Sequence, residues 1–83
     1  MVRNMKATYR KLQIVSQDRM SVLGYDGVKV RKDRDNGYTI CVIEYGALYP
    51  VGKYCSMGKV QAILSEVLYY ASSGKTHYYM PAD

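Results

Sequence analysis

Residues 56–74 read Ser-Met-Gly-Lys-Val-Gln-Ala-Ile-Leu-Ser-Glu-Val-Leu-Tyr-Tyr-Ala-Ser-Ser-Gly, and here the apolar residues take up helical spacing. Val60, Ile63, Leu64, Val67, Leu68 and Ala71 fall at i, i+3, i+4, i+7, i+8 and i+11, one apolar stripe of an amphipathic helix. Ser56 is a natural N-cap, because its hydroxyl accepts a bond from an otherwise orphaned backbone N–H. Gly74 is a natural stop, since the residue after a helix so often takes a positive φ. Lys59, Gln61, Ser65 and Ser72 lie on the opposite face. The spacing predicts one helix near 57–73, whose large stripe side chains contribute ~1.5–3 kcal/mol each to the core.

Upstream the period is two rather than 3.6. Val28-Lys29-Val30-Arg31-Lys32 alternates apolar and charged, as a strand with one wet face does. Asp35-Asn36-Gly37 follows, and Asn-Gly chemistry suits the positive φ of tight hairpin turns. Residues 38–45 then run rich in β-branched residues. Tyr38, Ile40 and Val42 share one face and Cys41, Ile43 and Tyr45 the other, so the strand is expected to be covered on both sides. Gly46 breaks it. Residues 48–54 predict a further strand, pushed towards an edge or bulge by Pro50 and Gly52. Short strands are expected at 12–16, 20–23 and 76–80, with Gly24-Tyr25-Asp26-Gly27 as a turn in which Gly supplies positive φ and Asp bonds its own backbone. The expected fold is α+β: an antiparallel sheet of four to five strands with one helix, in the C-terminal half, on one face. Residues 1–10 read as a loose basic arm and 11–83 as a single domain.

The 83 residues carry a net charge of +5, unevenly placed. Residues 1–34 hold nine Lys/Arg against three Asp, while residues 35–83 are net −1. A basic half attracts anionic partners, although a solvated surface explains it as well. All ten aromatic residues are Tyr, a side chain suited to half-buried sites and interfaces. No apolar run approaches the length of a membrane span and no secretory leader is evident, so the expected compartment is cytoplasmic. Cys41 and Cys55 fit neither a metal knuckle nor a redox pair; both are expected free and buried, with a bridge left open by spacing alone.

Catalysis needs converging groups, and the sequence offers few. His77 is the only histidine, and nothing places it beside a nucleophile. One His and two scattered Cys do not make a zinc site. Glu44 and Glu66 stand singly. The expectation is therefore a chain that is not an enzyme, holds no metal or cofactor, and works by binding. Two surfaces are candidates. The first is the apolar set Tyr38, Ile40, Val42, Cys41, Ile43 and Tyr45, of which one helix covers only half; the other half is expected to be an apolar, Tyr-rich contact face for a protein partner or a second copy in a homodimer. The second is the basic set Lys29, Arg31, Lys32 and Arg34, with Tyr25 and Tyr38 nearby, which suits phosphates and stacked bases. A charged hairpin that keeps a sheet edge soluble explains that set equally well.

Two segments carry a resemblance: Val15-Ser16-Gln17-Asp18 near the start and Tyr78-Tyr79-Met80-Pro81 near the end. In bracketing strands and one helix, the chain resembles small uncharacterised proteins of Gram-positive bacteria and their phages and prophages. Those open with a strand ending in V-S-Q-D and close with an [FY]-Y-M-P strand. The resemblance implies a phage-type protein-binding module in the host cytoplasm. Many short phage proteins inhibit host or defence proteins stoichiometrically, anti-CRISPR proteins among them. Those are often acidic DNA mimics, and this basic chain departs from that pattern.

Overall fold

The computed structural model describes residues 11–83; the expected basic arm, 1–10, lies outside them. The fold is α+β, with strands β1 (Gln13–Val15), β2 (Val22–Gly24), β3 (Gly27–Lys32), β4 (Tyr38–Glu44) and β5 (Ala47–Tyr54), helix α1 (Met57–Ser72) and strand β6 (His77–Tyr79). The strands divide between two three-stranded sheets, β2-β1-β6 and β3-β4-β5, rather than forming one. All pairings are antiparallel except β1 with β6, which is parallel.

The division arises at residues 24–27. Tyr25 N–H donates to Leu12 C=O and Asp26 N–H to Ile43 C=O, so adjacent residues bond to different sheets. Neither Gly24 nor Gly27 takes a positive φ, and the Asp26 carboxylate reaches the Tyr45 N–H at 2.8 Å instead of its own turn. This segment is a crossing point between sheets, not the tight turn expected. Glu44 reinforces it by accepting the Gly24 N–H at 2.9 Å.

The helix begins and ends as its sequence dictates. Ser56 Oγ accepts the Lys59 N–H at 3.1 Å, and Gly74 takes φ +74° while Lys75 N–H closes on Tyr70 C=O at 3.1 Å. Val60, Ile63 and Val67 are fully buried and Leu64 is half-buried, but Leu68 is 59 % exposed and Ala71 is exposed too. The helix meets β4, β5 and β6 along a face narrower than its apolar stripe. The rest of the core comes from both sheets: Leu12 and Ile14 from the first segment, Ile40 and Val42 from β4, Val51 and Tyr54 from β5, Tyr78 and Met80 from the end.

The two segments that carry the resemblance lie side by side. Met80 N–H donates to Val15 C=O, and the Arg19 guanidinium bonds the carbonyls of Ser16 and Met80. Gln17 is the joint between sheets. Its N–H donates to Val51 C=O at 2.7 Å, its Oε1 accepts the Lys53 N–H at 2.9 Å, and its Nε2 reaches the carbonyls of Lys53 and Pro81. Ser16 and Asp18 close the turn on themselves through a 2.6 Å hydrogen bond. These residue types hold the fold together at the point where its two sheets meet.

Candidate functional site: the outer face of the β3-β4-β5 sheet

Period two decides which side chains share a face. The hairpin between β3 and β4 closes with Asp33 N–H on Gly37 C=O, and Asn36 supplies the positive φ, 69°. Gly37 does not take a positive φ; what it supplies is room, since a Cβ there would lie 3.1 Å from Asp35 Oδ1. The register then sets Lys29 opposite Cys41 and Arg31 opposite Thr39. On the other side of β4 the turn is two residues, Tyr45 and Gly46, both at positive φ (49° and 83°). It sets Leu48 opposite Ile43, Pro50 opposite Cys41 and Lys53 opposite Thr39, with Val51 as an unpaired bulge residue.

The six apolar positions expected to share this strand, five in β4 and Tyr45 in the turn after it, therefore do not form one surface. Ile40 and Val42 are buried in the core and Tyr38 packs against it. These three face the helix side, Ile40 and Val42 buried and Tyr38 half-buried. Cys41 and Ile43 face outward, but Cys41 is only 5 % exposed and Ile43 is half-buried over Gly27. Tyr45 alone is open, 86 % exposed, and it sits at the hairpin tip with the Lys11 ammonium 4.5 Å from its ring centroid. The expected Tyr-rich outer face is replaced by an apolar floor under charged rims.

The basic set divides the same way. Lys29 and Arg31 stand on the outer face, whereas Lys32 points to the helix side with its ammonium 5.6 Å from the Tyr38 ring, and Arg34 lies in the turn. Tyr25 and Tyr38 are half-buried and packed against the core. What the structure brings together is a part of each expected site: Lys29 and Arg31 beside Cys41 and Ile43. Sequence reasoning missed the third wall, Leu48, Pro50 and Lys53. Reading Tyr45-Gly46 as a two-residue hairpin turn, rather than as a strand break, gives the register of Leu48 and Pro50; that of Lys53 also needs the bulge at Val51.

A groove of about 480 Å³ runs over Thr39 between Arg31, Asp33, Pro50 and Lys53 to the Ser16–Asp18 turn, and a second hollow lies between Lys29, Arg31, Cys41, Leu48 and Pro50. Asp33 is its electrostatic anchor, accepting from the Thr39 hydroxyl at 2.6 Å and pairing with Arg31 at 3.3 Å and Lys53 at 3.8 Å. The Thr39 hydrogen bond, then Arg31 and Lys53, hold its carboxyl below the usual carboxylate range. Lys53 also pairs with Asp35 at 2.8 Å, which lowers the Asp35 carboxyl and raises the ammonium. Lys29 makes no ion pair among the described residues.

The groups considered for chemistry lie apart. His77 is exposed and contacts Thr76 and Tyr79; Glu66 accepts the Tyr78 hydroxyl from the helix; Glu44 bonds Gly24. Both thiols are free: Cys41 is buried, and Cys55 is exposed rather than buried because β5 ends there. The Asp83 carboxylate beside it raises the Cys55 thiol. Among the described residues no cluster of three or more His, Cys, Asp or Glu is placed to hold a metal ion, and no helix is long and apolar enough to cross a membrane. Compared with family models, curated proteins and solved structures, the chain finds no match in any of the three.

Proposed function

We propose that this chain is a non-enzymatic, phage-type protein-binding module that acts through the outer face of the β3-β4-β5 sheet. Its specific form is stoichiometric inhibition of a host or defence protein in the host cytoplasm. One observation carries the reading: the helix covers a single face of this sheet, and the other face holds a hollow with buried Cys41 and exposed Leu48 between Lys29, Arg31 and Pro50, beside the groove over Thr39 that Arg31 and Lys53 flank. An apolar floor under a polar rim is the usual anatomy of a protein contact. Leu48→Ser and Arg31→Glu each remove one component and leave the core untouched. Affinity capture from host lysate, with nuclease present, should recover a protein partner with the parent chain and lose it with either variant. Light scattering should find a monomer that becomes a one-to-one complex; a homodimer whose interface is this face would replace the foreign partner.

The outward pair Lys29 and Arg31, with Lys53 across the sheet, favours a second reading, nucleic-acid binding. That affinity would be electrostatic, falling steeply with salt, and each lost phosphate contact would reduce the salt slope by about one.

A further inference from the structure

We infer that β3 is a docking edge, and that its occupant is an extended protein segment with acidic residues at alternate positions. This rests on the protein-binding reading and names the chemistry of the partner.

The two long edges of the β3-β4-β5 sheet are treated differently by the fold. The C-terminal half of the β5 edge is closed from within: Gln17 bonds Val51 C=O and both the N–H and C=O of Lys53. The β3 edge is six residues long and lies at the margin of its sheet. The Asp33–Gly37 bond and the register place the backbone groups of Gly27, Lys29 and Arg31 on β4, so those of Val28, Val30 and Lys32 point outward. Among the described residues, no hydrogen bond reaches them. Such a row is a template for one more strand.

Charge selects the occupant. An antiparallel pairing of two copies about Val30 sets Lys29 of each opposite Arg31 of the other, and like charges directly opposite repel. A segment with Glu or Asp on its outward positions meets Lys29, which makes no ion pair among the described residues, and Arg31, which shares Asp33. Its alternate residues, on the other face, extend the row of half-buried Val28 and Val30.

A synthetic peptide of alternating Glu and Val is the probe, and amide hydrogen exchange of the intact chain is the readout. The peptide should slow exchange at Val28, Val30 and Lys32 by about tenfold or more at saturation. Methylating the peptide nitrogens that face β3 removes the new hydrogen bonds at constant charge and should weaken binding by about tenfold or more. Lys29→Glu with Arg31→Glu should do the same; a far-ultraviolet spectrum matching the parent confirms that the variant is folded. No protection at millimolar peptide, equal binding by the methylated peptide, or protection by a single-stranded oligonucleotide instead would each overturn the inference. If Leu48→Ser abolishes lysate capture while the peptide gives no protection, the edge inference falls and the protein-binding reading stands. If the peptide protects the edge and Leu48→Ser changes no capture, the edge stands and the groove does not.

Discussion

Replacing Gly52 by Ala adds one methyl group where the structure has no room for it. A Cβ at Gly52 would lie 2.7 Å from both Cε2 and Oη of Tyr54 and 3.0 Å from its Cζ. Tyr54 cannot swing aside at low cost: it is 1 % exposed, belongs to the core cluster, and its hydroxyl donates to Pro81 C=O at 2.8 Å. Overpacking of this kind costs ~1–3 kcal/mol, and loss of the Tyr54 hydrogen bond about 1 more. The total, ~2–4 kcal/mol, is a large share of the stability of so small a domain. At ~4–8 °C per kcal/mol, the melting temperature should fall by about 10–30 °C. Gly58→Ala is the control. Nothing lies within 4 Å of its Cβ and it sits in the first turn of α1, so it should leave the melt unchanged or raise it by up to about 1 kcal/mol. Thermal melts by circular dichroism read both. A Gly52→Ala melt equal to the parent's would show that the Tyr54 ring does not occupy the space above Gly52, and the packing derived for β5 and Pro81 would fail with it.

Ile63→Ala should cost ~2–5 kcal/mol in a denaturant titration, whereas Leu68→Ala, on an exposed site, should cost well under that; equal losses would mean that the helix is rotated about its axis. Gln17→Ala leaves the Lys53 N–H and C=O without their partner and removes one of the two donors to Pro81 C=O, and should destabilise by ~1–3 kcal/mol despite removing no core residue; a neutral result would show that water replaces the amide there. Burial pushes the Tyr54 phenol up to about 12, and burial with the neighbouring Glu66 raises Tyr78. Raised folded values mean that the neutral phenols favour the folded state fully below pH 10, and that this stability is lost as pH rises through the folded values. Melts should therefore hold steady up to about pH 10 and fall from there towards about pH 12, with tyrosinate absorbance of the two buried rings appearing only as the chain unfolds.

Local chemistry determined the elements of this protein by itself. The helix was legible because a 3.6 period, a Ser cap and a Gly stop agree over one continuous segment, and each acts within a few residues of itself. The strands were legible for the same reason, and so was the α+β class. Which faces those elements bury was a tertiary decision. Leu68 has the right spacing for the core, yet the sheet beneath the helix is too narrow to reach it. Tyr38, Ile40 and Val42 against Cys41 and Ile43 was a correct division of faces, but only the packed structure showed that Lys29, Arg31, Leu48, Pro50 and Lys53 surround the outer pair. Their meeting depends on the register of two hairpins and on a bulge at Val51, which displaces every later side chain of β5. The separation into two sheets was equally out of reach. It follows from Tyr25 and Asp26 bonding to different strands, and from Gln17 bonding residues 36 and 64 positions away. Hydrogen bonds across such distances leave no period in a sequence, because the geometry that forms them exists only once the rest of the chain has folded.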